Sequence, residues 1–185
     1  MNPQNNSWDI FEYEVKMYIG TRRLLENSNQ ESEIIKYALA ESALLHTRVL
    51  ADILLKQSKG DDGDDIILSD LVPNWESVKE LRAVLGELKI IYGGRKIANS
   101  PYWTLNKMLA HATSLRQRSH VYTELLSKID PVILLALKEI PIPSSRNDLI
   151  DLLSSVASSS QKQAVSIYTN TPETTVIMRE ISKKK

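Results

Sequence analysis

The chain has 185 residues, 42% of them hydrophobic and 25% charged, which is the composition of one ordinary globular domain with or without an appendage. Its 23 Lys and Arg balance 23 Asp and Glu, so no overall field points to nucleic acid or an acidic membrane surface. Cysteine is absent, which excludes disulfides, thiolate nucleophiles and Cys-ligated zinc. No apolar run reaches membrane-spanning length and no signal peptide is legible, so a cytoplasmic location and no membrane partner are expected.

Residues 1–6 read as a polar leader. Ser7 or Asp9 caps a first helix running to about residue 27, with Ile10, Val15, Met17, Tyr18 and Leu24 as its expected core positions. Gly20 interrupts it at a cost of ~1 kcal/mol relative to alanine. Arg22 and Arg23 suit the negative end of the helix dipole and read as solvated charges. A short polar turn at 27–30 sends the second helix back antiparallel.

The second helix, residues 34–57, is the longest run without Gly or Pro and is apolar almost all round, which places it in the middle of a bundle. Glu41, Arg48 and Asp52 nevertheless share a sector of ~40° on its wheel. Charges there need partners, because unpaired and buried they cost several kcal/mol. Two readings follow: an internal polar network of Glu41, His46 and Asp52 around Arg48, or Arg48 as an anion anchor in a groove between helices.

The loop SKGDDGDD after Gln57 offers no EF-hand register, so it reads as a solvated acidic loop. Residues 66–72 fit either an extended segment or a helical turn. Pro73-Asn74 opens a third helix with Trp75, Val78, Leu81, Val84, Leu85 and Leu88 spaced three and four apart, stopped by Gly93-Gly94. Ser100-Pro101 opens a fourth, residues 102–117, whose apolar stripe is flanked by Asn106 and His111 ~140° apart. A fifth covers 121–138, with either a break at Asp130-Pro131 or a separate short helix that begins at Pro131. Residues 147–158 form a last amphipathic helix.

Beyond residue 158 the composition changes to β-branched runs around Asn170-Thr171-Pro172, the pattern of a hairpin or extended arm. The expected fold is thus all-α: an up-and-down bundle of five to six helices over residues 1–158, with a C-terminal extended arm or hairpin at 159–185.

The catalytic inventory is thin. His46, His111 and His120 show no HExxH and no ligand spacing, and no GxSxG elbow is present, so no metal or other cofactor is expected. The residues Glu41, Ser42, Leu44, Leu45, His46, Arg48, Leu50 and Asp52, with LNKMLAHAT at 105–113, resemble a group of uncharacterised bacterial members of the HEPN class of helical domains. The resemblance extends in order and topology over about residues 9–137.

Many members of that class are metal-independent ribonucleases in which dimerisation assembles an Arg, a polar residue and a His into one cleft. The resemblance implies Asn106 as the polar residue and His111 as the histidine, but Leu105 stands in the arginine position. A hydrocarbon cannot stabilise a phosphorane-like transition state. The expectation is therefore a catalytically inactive HEPN-like binding or assembly protein, in a bacterial toxin–antitoxin or defence context and acting as a homodimer through the face of the fourth helix. One alternative is a ribonuclease using His111 and Asn106 with an arginine from another helix, Arg48. Another is a regulatory partner protein that docks through its C-terminal arm. RNA binding gains nothing from the net charge.

Overall fold

The computed structural model describes residues 3–110 and 119–156. Among them the elements are α1 (Pro3–Glu26), α2 (Glu33–Leu55), α3 (Leu68–Leu71), α4 (Lys79–Tyr92), α5 (Pro101–Ala110) and α6 (Ser119–Glu139). A helix at residues 147–156 (α7) follows. No strand occurs among the described residues, so the fold is all-α, as expected. The arm expected at 159–185 lies outside them. The chain separates into two compact units, Met1–Pro141 and Ile142–Lys185.

In the first unit α1 begins earlier than its sequence suggests, taking in residues 3–6, and runs through Gly20 without interruption. A Cβ at Gly20 would meet nothing within 4 Å, so this glycine marks neither a bend nor a close approach. The buried face is Trp8, Phe11, Val15, Tyr18 and Ile19, at three- and four-residue steps. Ile10 and Leu24, expected in the core, point outward instead. Trp8 meets Phe11 edge to face at 5.6 Å.

The helix stops where side chains take over its last carbonyls. The Asn27 amide donates to Arg23 O at 2.7 Å and the Ser28 hydroxyl to Leu25 O at 2.6 Å. Ser32 then caps α2, accepting from the Ile35 N–H. The pair Glu14–His46 falls symmetrically about the turn at residue 30, as antiparallel neighbours require.

α2 is the central helix, in contact with α1, α3, α4, α5 and α6. Ala40, Ala43, Leu44, Leu50, Ala51, Ile53 and Leu54 are its buried apolar residues. Its amino-terminal half differs from expectation. Ile34, Ile35, Tyr37 and Leu45 are exposed, so the helix is apolar all round in sequence but buried only on the side that meets its neighbours.

The ambiguous segment at 66–72 contains a single helical turn, α3, with the Asp70 carboxylate accepting the Ile67 N–H at 3.0 Å. α4 begins later than Pro73-Asn74 suggests. Trp75–Ser77 is a separate 3-10 turn, and Val78 is extended before the helix starts. Leu81, Leu85, Leu88 and Tyr92 form the buried ridge of α4, which packs on α6.

Gly93 ends α4 at φ 72°, and a Cβ there would lie 2.6 Å from the Ser100 Cβ. Ser100 in turn accepts the Trp103 N–H and, with Pro101 in the first turn, starts α5. α6 passes through Asp130-Pro131 unbroken. Pro131 is on the exposed side, where its ring reaches solvent, while Leu126, Ile129, Asp130, Ile133 and Leu137 face inward. In the second unit, α7 buries Leu149, Leu153 and Val156.

Candidate functional site

A buried polar cluster lies where the end of α1 meets the middle of α6. Tyr18 and Arg22, one turn apart on α1, converge on Asp130 of α6. The Tyr18 hydroxyl donates to Asp130 Oδ1 at 2.7 Å, and Arg22 Nε donates to Oδ2 at 2.7 Å. The guanidinium also lies 5.5 Å from the centre of the Tyr18 ring and reaches Glu26 Oε1 at 3.3 Å.

Burial pushes the Asp130 carboxyl up to about 6, against the opposing pull of Arg22 and of the Tyr18 hydrogen bond. Burial, and next the Asp130 charge, also raise the Tyr18 phenol well above its ordinary value. Beside this triad is a recess of about 340 Å³, lined by Arg22, Leu25, Glu26, Leu126, Ser127 and Asp130. Pro131 has no N–H, so it offers no intrahelical donor to the Ser127 carbonyl. A carboxyl near 6 is suited to proton exchange. Here both of its oxygens are already engaged, and the triad is first of all a tie between α1 and α6.

This tie is the feature that the sequence reading missed, since it treated Tyr18 as core, Arg22 as solvent-facing and Asp130 as a helix breaker. A signal was present. Leu126, Ile129, Asp130, Ile133 and Leu137 follow three- and four-residue steps, which puts a carboxylate inside an apolar stripe. Such a group demands a partner.

A second buried pair joins α1 to α2. His46 Nδ1 and Glu14 Oε2 are 2.7 Å apart, both side chains nearly enclosed, and the Tyr13 ring meets the imidazole edge to face at 6.0 Å. His46 thus takes its carboxylate from α1, on the opposite side of α2 from Glu41 and Asp52.

The Glu41–Arg48–Asp52 sector lies on the outer side of α2, each residue half-buried. Burial raises the Asp52 carboxyl, opposed by Lys56 and then by Arg48. Tyr92, at the end of α4, has its phenol raised mainly by burial and then by the Asp52 charge, opposed by Arg48. The Tyr92 hydroxyl is enclosed without a hydrogen-bond partner among the described residues, and its ring meets Tyr102 of α5 edge to face at 5.6 Å. Asn106 is half-buried on α5 and donates its amide to Tyr102 O at 2.8 Å. Arg48 and Asn106 therefore sit on contacting helices, α2 and α5. His111 lies outside the described residues. Among those described, no group of carboxylates and histidines could hold a metal ion.

No described helix is long and apolar enough to cross a membrane. Comparison with protein-family models, with curated proteins and with solved structures gave no match.

Proposed function

We propose that the chain is a HEPN-like helical binding and assembly protein without catalytic activity, and that it works as a homodimer. One observation carries this reading. The outer face of α2 holds Ile34, Tyr37 and Leu45 in the same sector as Glu41, Arg48 and Asp52, and Ile34 and Leu45 are 81% and 45% exposed. A helix face that only met water would have no use for three large apolar side chains in one stripe. Apolar anchors bordered by both signs of charge suit an isologous contact, in which each stripe meets its symmetry mate. α5, the described part of the expected fourth helix, lies against α2.

The inactive reading rests on chemistry already occupied. Asp130, Tyr18 and Arg22 are engaged with one another, Glu14 holds His46, and Leu105 stands where the resemblance calls for arginine. The test combines sedimentation equilibrium with an RNA cleavage assay in EDTA. A dimer that dissociates in Ile34→Glu and Leu45→Glu, together with intact RNA, is the expected result. A monomeric wild type overturns the assembly reading. Cleavage that disappears in folded His111→Ala and Arg48→Ala variants replaces it with a metal-independent ribonuclease.

A further inference from the structure

A second recess, of about 200 Å³, lies between the end of α2, the 3-10 turn at Trp75–Ser77 and α4. Its floor is apolar, made of Leu54, Leu55 and Leu85. Its rim is cationic, carrying Lys56, Arg82 and Lys89, and no carboxylate lines it. Lys56 is engaged with Asp65 at 3.2 Å. Arg82 and Lys89 are exposed and close no ion pair among the described residues. Half-buried Trp75 forms the wall opposite α4.

Gly86 makes this arrangement unusual. Arg82, Gly86 and Lys89 follow each other at four- and three-residue steps, so the glycine sits between two unpaired cations on one stripe of α4. Glycine in a helix interior costs ~1 kcal/mol relative to alanine. It is normally tolerated for a close approach, yet a Cβ here would meet nothing within 4 Å. Among the described residues, no neighbour needs the space that Gly86 leaves open.

We propose that this recess docks an acidic peptide segment of a partner protein, with one large apolar side chain inserted as its anchor. Size and charge select that occupant. Pockets for small organic ligands run to roughly 300–1,000 Å³. At about 200 Å³ the recess takes a single Leu-, Phe- or Trp-sized side chain on its apolar floor. The unpaired Arg82 and Lys89 then face the flanking backbone, where Asp or Glu of the segment complements them. The recess shares no residue with the outer face of α2, so this inference stands apart from the homodimer and is tested separately.

The test is fluorescence anisotropy of the full chain against labelled hexapeptides centred on Leu, Phe, Trp or Ala. Each is flanked by Asp and Glu, by Ser and Gln, or by Lys and Arg. The acidic members with large apolar centres should bind, and their affinity should fall as salt rises. Arg82→Glu and Lys89→Glu, both at exposed positions that leave the core intact, should each weaken binding by about tenfold or more. Gly86→Leu, which favours the helix and fills the recess, should abolish it. Binding that ignores flanking charge, survives Gly86→Leu, or is absent throughout the acidic set overturns the proposal.

Discussion

Replacing Asp130 with Asn should remove a response to acid that runs opposite to the usual one of a buried aspartate. A buried aspartate is most often held ionised by its partners, so that acid weakens the fold. Asp130 is the opposite case, because burial outweighs Arg22 and Tyr18 and lifts its carboxyl from 3.8 to about 6. The folded state therefore binds this proton more tightly than the unfolded chain does. Its contribution to stability grows as pH falls through about 6 and levels off below about 4.

At ~1.4 kcal/mol for each tenfold in proton affinity, the full contribution is ~3 kcal/mol, of which ~2 kcal/mol is realised by pH ~4.5. Asp130 is 5% exposed and Arg22 largely covered, so solvent screens little of it. Asn keeps an acceptor for the Tyr18 hydroxyl but cannot titrate. Urea unfolding of both proteins at about pH 7 and about pH 4.5 should show the wild type gaining ~2 kcal/mol relative to Asp130→Asn on acidification. Parallel responses would mean that the site is not titrating in this range. A wild type that loses ground to the variant would mean that the Arg22 ion pair dominates over burial, and the reasoning fails.

The unpartnered Tyr92 hydroxyl makes Tyr92→Phe a neutral or stabilising change of up to ~1 kcal/mol, because it removes a buried polar group without breaking a bond. A loss of more than ~1 kcal/mol in thermal or urea unfolding would show a hydrogen bond that the chain itself does not supply. The two glycines at helical positions of opposite kind should part company in the same assay. Gly20→Ala, with open space around its Cβ, should gain up to ~1 kcal/mol. Gly93→Ala combines a positive φ with a Cβ driven to 2.6 Å from Ser100, and should lose ~2 kcal/mol or more. Equal effects at the two sites would contradict the backbone assignment at the end of α4.

The helices were legible because their apolar residues recur at three- and four-residue steps, and the junction of α4 with α5 because Gly93-Gly94 and Ser100-Pro101 carry specific stop and start chemistry. What local pattern could not show was which apolar side of a helix has a neighbour. In α2, Ile34, Ile35, Tyr37 and Leu45 look identical in sequence to core residues, and only the positions of α1, α4, α5 and α6 leave them outside. Trp8 and Phe11 were missed for the converse reason, since the expected pattern was anchored on Ile10, which faces outward. The partners of buried charge were hidden by distance along the chain. Tyr18 and Asp130 are 112 residues apart, and no spacing rule connects a phenol on one helix with a carboxylate on another.

The two kinds of polar residue in this bundle have different physical consequences. Glu14, His46, Tyr18, Arg22 and Asp130 are enclosed and matched in pairs across helix contacts. Removing one member leaves the other without its partner in a medium where that is costly, so substitutions there register as lost stability. Arg48 and Asp52 lie at the boundary with water on the stripe that exposes Ile34, Tyr37 and Leu45, and Arg82 and Lys89 lie on the exposed side of α4. Substituting the exposed Arg82 or Lys89 changes little in the isolated chain, because exposed charges contribute little to folding, whereas the half-buried Arg48 and Asp52 cost more. A selective loss of association in such variants, with unfolding free energy unchanged, is thus the signature of a protein whose work is done by contact. The same loss accompanied by equal destabilisation would return these charges to the role of holding the bundle together.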